Sequence, residues 1–245
     1  MKDWRIYARP DIYLNKDIDK LFMQIAKKFI ETGMDYQKAN GSFVVALGGG
    51  RTPKRMNQKI AELSNYYNLD WSRVFLFFSD ERCVTKEHDC SNFKMIYETL
   101  VKPLSIPLQN VFRIQGELGA DAAAANYEKD IISFFRNSMK KTFDLALLGL
   151  GKDCHTASLF PGASALKEKH RLIVPGGKGE EGLERVTMSY PLINSSSNIW
   201  FLICGEEKRR AFNELLNGEY NPYCNPAQGV FCKNGDMVYF TDIEM

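Results

Sequence analysis

The sequence predicts an α/β protein of Rossmann-like type: a mostly parallel open sheet with helices on both faces. Three observations carry that prediction. Short, largely apolar runs recur at Phe43–Leu47 (FVVAL), Val74–Phe78 (VFLFF), Phe143–Leu148 (FDLALL) and Ile199–Cys204 (IWFLIC), as expected of strands buried on both faces. Segments with helical periodicity separate them. Glycines or charged residues follow directly on the strand ends, where open α/β sheets place ligands.

The 245 residues suffice for one large core, and a single domain over 1–245 is expected. A composition of 44% hydrophobic and 25% charged residues is that of a globular protein. The formal net charge of +2 argues against a nucleic-acid surface spread over the molecule, but permits a local basic pocket. No apolar run approaches the ~20 residues that span a bilayer. The N-terminal MKDWRIYARPD lacks the apolar core of a signal peptide. A cytoplasmic protein with no membrane or nucleic-acid partner is therefore expected. The six cysteines include no C-x-x-C pair and read as reduced, mostly buried thiols. Glu87-His88-Asp89-Cys90 lacks zinc-ligand spacing, so no metal is expected.

In chain order, Trp4–Tyr7 reads as a short strand. Asn15 or Asp17 then caps an amphipathic helix carrying Ile18, Leu21, Phe22, Ile25, Phe29 and Ile30, with Gly33 as its stop. The strand Phe43–Leu47 runs into Gly48-Gly49-Gly50-Arg51-Thr52-Pro53 and a helix through Met56, Ile60 and Leu63. Pro53 suits a first helical turn. Backbone N–H groups of such a turn, with the positive helix end, suit a phosphate. The pattern is neither a dinucleotide loop nor a P-loop, and close helix–strand packing alone explains the glycines about as well. Val74–Phe78 ends in Ser79-Asp80-Glu81-Arg82, and Ser91-Asn92 starts a helix that ends before Pro103. Val111–Ile114 reads as a strand, and Asp121–Met139 as a long helix. After Phe143–Leu148 come strand-like segments at Leu172–Val174 and Arg185–Tyr190 and a turn at Asn194–Asn198. The strand Ile199–Cys204, a helix over Glu206–Leu216 and a last strand at Met237–Thr241 complete the chain.

Three strand-end loops hold groups suited to chemistry: Gly48–Thr52, Asp80–Arg82 and Gly149–His155. In a doubly wound sheet such ends converge. Arg51, Arg82, Arg185 and Lys208 could reach the same crevice, and several cations beside a glycine turn point to a phosphate dianion. His155, one of three histidines, sits two positions after Asp153 behind a glycine-rich strand end. A neutral imidazole takes a proton from water near pH 7 and returns it to a leaving group. An adjacent aspartate orients the ring or sets its tautomer. Cys154 lies between them, but adjacent side chains diverge, which disfavours a Cys/His nucleophile.

The segments Gly48–Pro53, Ser79–Arg82 with Ser91-Asn92, and Gly149–Gly162 (GLGKDCHTASLFPG) resemble the 6-phosphogluconolactonase family. Arg185-Val186-Thr187 and Gly205-Glu206-Glu207-Lys208 fit it too, and the resemblance runs in order from about Phe43 to Pro226. It implies a Rossmann-like fold, no cofactor, and hydrolysis of the small-molecule lactone 6-phospho-D-glucono-1,5-lactone to 6-phosphogluconate, the second step of the oxidative pentose phosphate pathway. By position it implies His155 as general base and Asp153 as its partner. It also implies Gly49, Gly50, Arg51 and Thr52 as the phosphate turn, Asp80 and Arg82 as pocket residues, and Arg185 and Lys208 as further phosphate ligands. No partner chain is implied, and a monomer is the simplest expectation.

Two positions depart from the family pattern. The family usually has glycine where this chain has Cys154; a left-handed backbone there would cost ~1–2 kcal/mol, an ordinary one nothing. Many members carry arginine where this chain has Ser197, so no phosphate contact is assigned there. Two other readings compete. The related glucosamine-6-phosphate deaminases follow their histidine with a nearby Asn-Glu, whereas here the next acid is Glu168, beyond Pro161-Gly162. A non-catalytic sugar-phosphate sensor usually carries an added DNA-binding module, for which this chain has no room.

Overall fold

The computed structural model describes residues 3, 10–179, 181–233 and 235–245. The expected strand Trp4–Tyr7 lies outside the described residues. The first described strand is β1, Asp11–Leu14. Helix α1, Ile18–Asn40, starts at Asp17, whose side chain accepts from the N–H groups of Asp19 and Lys20. The expected stop at Gly33 is wrong. Gly33 is buried inside α1, where a Cβ would come 2.8 Å from the Phe43 ring, so the glycine serves close packing. The helix ends instead at Gly41, in a left-handed cap with φ 78°.

Strand β2, Phe43–Leu47, is buried at every position. Side chains alternate between faces, so both faces are covered. Helix α2 spans Arg51–Leu63 and β3 spans Val74–Phe78. The chain does not leave the structure after β3: Asp80–Arg82 forms a further strand, β4. Helix α3, Asn92–Ile96, is capped by Ser91 and widens into a π-helical turn over Tyr97–Val101. Strand β5 covers only Val111–Phe112, shorter than expected, and α4 covers Ala120–Asn137. Then come β6 (Leu145–Gly149), β7 (Ile173–Pro175), β8 (Arg185–Met188) and the short α5 (Tyr190–Ile193). Strand β9 (Asn198–Ile203), helix α6 (Arg209–Asn217) and strand β10 (Asp236–Thr241) close the fold. The expected helix start at Glu206–Lys208 is a 3-10 turn leading into α6.

Seven strands form one sheet in the order β1-β10-β9-β6-β2-β3-β5, and each neighbouring pair is parallel. The sheet is the Rossmann-like architecture expected. From β2 the chain moves outward through β3 and β5, then returns to place β6 on the opposite side of β2. The carboxyl ends of β2 and β6 therefore flank the topological switch point. The strand-like segments at 172–174 and 185–190 do not join this sheet. Together with β4 they make a small antiparallel sheet, β4-β8-β7, with Asp80 opposite Thr187 and Val174 opposite Thr187 on its other side. Ser79 links the two sheets: its N–H donates to Leu47 O at 2.9 Å, and Met188 N–H donates to Ser79 O at 2.8 Å.

The cysteines are less buried than expected. Cys154 is buried, Cys224 is exposed and the rest are intermediate. Among the described residues no helix is long and apolar enough to cross a membrane.

Candidate active site

A cleft of about 600 Å³ opens at the switch point. All the sequence-derived site residues line it: Gly49, Gly50, Arg51 and Thr52; Asp80 and Arg82; Asp153 and His155; Arg185 and Lys208.

The glycine turn is built by close approach. Gly48 N–H donates across to Leu147 O at 3.0 Å, tying the ends of β2 and β6 together. A Cβ on Gly49 would overlap the Asn92 side-chain amide. Gly50, at φ 109°, turns the chain so that Arg51 and Thr52 begin α2. The first N–H groups of a helix lack intrahelical partners and favour anions.

The Asp153/His155 pair follows β6. His155 Nδ1 stands 2.5 Å from Asp153 Oδ1, and the His155 backbone N–H donates to the same oxygen at 3.2 Å. Half-burial works to raise the Asp153 carboxyl, but the His155 hydrogen bond and charge outweigh it and hold it below the usual carboxylate range. An ionised carboxylate only accepts, so Nδ1 is the protonated nitrogen and the neutral ring carries its lone pair on Nε2. Gly151 N–H donates to His155 O at 2.8 Å, and a Cβ on Gly151 would overlap the imidazole, so the tight loop needs that glycine.

Cys154 is left-handed at φ 64°, the strained alternative of the two expected. Its side chain is buried, with Sγ 3.7 Å from Ala211 O, while His155 lines the cleft. The two side chains diverge, against a paired Cys/His nucleophile.

The cations fall into two groups. Arg51 is 91% exposed and meets Glu207 Oε1 at 3.3 Å. Burial, with the charges of Lys152 and Arg51, holds the Lys208 ammonium below its usual range, against the pull of Glu207 and Asp153. Like charges gathered this closely suit an incoming anion.

The second group is Arg82 and Arg185. Arg185 and Asp80 are each only 7% exposed and pair at 3.8 Å, while Arg185 Nη2 donates to Glu181 Oε2 at 2.6 Å. Asp80 also accepts from Ser158 Oγ at 2.6 Å, so its carboxylate is internally committed. Arg82 contacts Asn92 Oδ1 and donates to Cys90 O at 3.1 Å. The Nε atoms of Arg82 and Arg185 are buried without a hydrogen-bond partner among the described residues, while both residues line the cleft. Glu81, by contrast, is a helix cap. It accepts from the N–H groups of Asn92 and Phe93 at 2.8 Å, although burial pushes its carboxyl up.

Sequence reasoning passed over Asn92, Lys152, Phe160, Glu181 and Glu207 as cleft residues. Lys152 and Glu207 sat inside flagged loops and carried a signal in their charge. Asn92 and Phe160 lay within the segments that carry the family resemblance but were given no role, and nothing in the sequence sets Glu181 beside the cleft.

A parallel α/β sheet with an Asp–His pair and clustered cations at its switch point has the groups that can attract an anion and move a proton beside it. The particular family follows from comparison. The chain matches the family of glucosamine-6-phosphate isomerases and 6-phosphogluconolactonases over residues 16–239, and it belongs to that family. It is 33% identical over 233 residues to 6-phosphogluconolactonase 3, chloroplastic, of Arabidopsis thaliana, covering 91% of this chain and 70% of that one. It is 33% identical over 208 residues to the 6-phosphogluconolactonase of Nostoc sp., covering 84% of each. The crystal structure of 6-phosphogluconolactonase from Thermotoga maritima shares the fold at TM-score 0.83 and 32% identity, covering 95% of this chain and 99% of that one.

Proposed function

We propose that this protein is a carboxylic ester hydrolase that opens 6-phospho-D-glucono-1,5-lactone to 6-phosphogluconate, the second step of the oxidative pentose phosphate pathway. The carrying observation is the Asp153–His155 contact at 2.5 Å, which puts the basic lone pair on Nε2 of a residue lining a cationic cleft. Named relatives with the same reaction support the choice of substrate.

In this scheme His155 Nε2 takes a proton from water as the oxygen attacks the lactone carbonyl. Asp153 stabilises the imidazolium that forms. Collapse of the tetrahedral intermediate breaks the bond between the carbonyl carbon and the ring oxygen. The imidazolium returns its proton to that oxygen, which becomes a hydroxyl. No cofactor or metal takes a step. The phosphate is held by the Gly49–Thr52 turn with Arg51 and Lys208, and Arg82 and Arg185 line the same cleft as further cations. Phosphate binding then positions the carbonyl rather than reacting.

Every group in this scheme lines one cleft at the switch point of one sheet, in keeping with a single functional domain over 1–245. No disulfide joins the six cysteines, in keeping with a reducing, cytoplasmic setting.

The test is proton release from freshly generated lactone, corrected for spontaneous hydrolysis. His155→Ala is expected to lower kcat by ~10²-fold or more. Near-normal turnover by that variant refutes the assignment of the base.

A further inference from the structure

His155 needs two things fixed for its Nε2 to face a substrate: the direction of Nδ1 and the plane of the ring. Asp153 supplies the first. The second comes from Phe160, whose ring centroid is 4.3 Å from that of the imidazole at an interplanar angle of 32°. At the Nδ1–Cε1 edge of His155, Gly151 closes against the imidazole so tightly that no Cβ fits. The ring is thus hemmed by the Gly151 backbone and by the Phe160 ring.

Phe160 is itself held. The Arg185 guanidinium carbon lies 5.5 Å from its ring centroid. Arg185 is in turn fixed by Asp80 and Glu181. A Cβ on Gly177 would come 2.8 Å from the Phe160 ring, so this glycine lets the loop back the aromatic edge.

We propose that Phe160 is a positioning residue for His155, holding the imidazole plane while Arg185, anchored by Asp80, holds Phe160. The aromatic face also attracts the positive charge that His155 acquires during turnover. Arg185 would compete for the same ring, and its pairing with two carboxylates offsets that competition. Asp80 and Arg185 then act on the base through Phe160, whatever else Arg185 donates to a ligand. The inference rests on the lactonase reading for its kinetic part alone.

The experiment compares wild type with Phe160→Leu, Phe160→Met and Phe160→Tyr, each checked for an unchanged urea midpoint. Loss of the ring plane is expected to lower kcat ~10-fold in F160L and F160M, with KM within about twofold. F160Y keeps the ring and is expected to retain kcat within ~3-fold. A merely structural apolar filler would let leucine and methionine serve as well as tyrosine. The proposal is overturned if F160L keeps its kcat, if F160Y falls as far as F160L, or if KM rises while kcat holds, which would make the ring a substrate contact. An NMR arm needs no turnover. The His155 ring protons, assigned by difference from His155→Gln, are expected upfield from the Phe160 ring current and return downfield in F160L. Absence of that shift in wild type overturns the proposal. A wild type without lactone hydrolysis overturns the lactonase reading alone, and the NMR arm still decides the placement of the ring.

Discussion

Replacing Asp153 by asparagine removes one charge and almost no volume, so it isolates what the carboxylate does for His155. The amide can present its oxygen to Nδ1–H and keep the hydrogen bond, or present its NH2 and force the proton to Nε2, which abolishes the base. Either way the imidazolium formed during turnover loses its counter-charge. In buried catalytic triads the same exchange costs ~10⁴ in kcat. Asp153 is 48% exposed and His155 28% exposed, so water screens part of the charge. We therefore expect D153N to lower kcat by ~10–10²-fold, with KM little changed because the groups proposed to hold the phosphate are other residues. The assay is proton release at pH 7 on fresh lactone, with the spontaneous rate subtracted. The pH dependence follows from the same pair. The folded Asp153 carboxyl sits below its ordinary value, since the His155 contact outweighs half-burial. Its contribution to stability is present above the unfolded carboxylate range and is lost as pH falls through the folded value. Turnover near neutrality is thus insensitive to Asp153 titration. Activity in D153N within threefold of wild type would refute the orienting role.

Other expectations concern stability. The left-handed Cys154, at φ 64°, stores ~1–2 kcal/mol that glycine releases, while glycine gives up a buried side chain of comparable worth. Cys154→Gly should unfold in urea within ~1 kcal/mol of wild type, whereas the β-branched Cys154→Val should lose ~2 kcal/mol or more. A valine variant as stable as wild type would contradict the assigned backbone conformation. At the opposite end of the sheet, Lys140 Nζ lies 2.6 Å from Asp144 Oδ1, with the two side chains 10% and 4% exposed. Lys140→Met leaves that carboxylate buried with the Val44 N–H as its remaining donor among the described residues, and should cost ~3–5 kcal/mol at pH 8. Burial already raises the Asp144 carboxyl, and losing the lysine raises it further. A raised folded value means stability is lost as pH rises, so the deficit should shrink at pH 5. An equal deficit at both pH values would show that Asp144 is not the group left exposed to the change.

Much of the fold was legible because its signals are local. Phe43–Leu47 and Val74–Phe78 match β2 and β3 residue for residue, since five apolar residues in a row admit little but a strand covered on both faces. Asp17 and Ser91 cap α1 and α3 because their side chains bond N–H groups two or three residues away. The site loops were legible for a related reason: glycines and charges directly after buried strands stand at the ligand edge of a parallel sheet whatever the rest of the chain does.

What the sequence could not determine depends on partners far along the chain. Strand β1 is exposed at all four positions and has no pattern of its own; only pairing with β10 makes it a strand. Gly33 reads as a helix stop, yet its reason is the Phe43 ring on the neighbouring strand. Asp80–Arg82 reads as a charged strand end, and becomes β4 because β8 arrives beside it from a hundred residues on. The same holds within the cleft. The sequence put Asp153 and His155 two residues apart, and that local spacing was enough to propose a pair in contact, which the structure shows at 2.5 Å. It could not say that Asp80 and Arg185 bind each other, that Glu207 answers Arg51, or that Phe160 lies against the imidazole. Those contacts are set by how separate loops meet at the switch point, and only the assembled sheet brings them within reach.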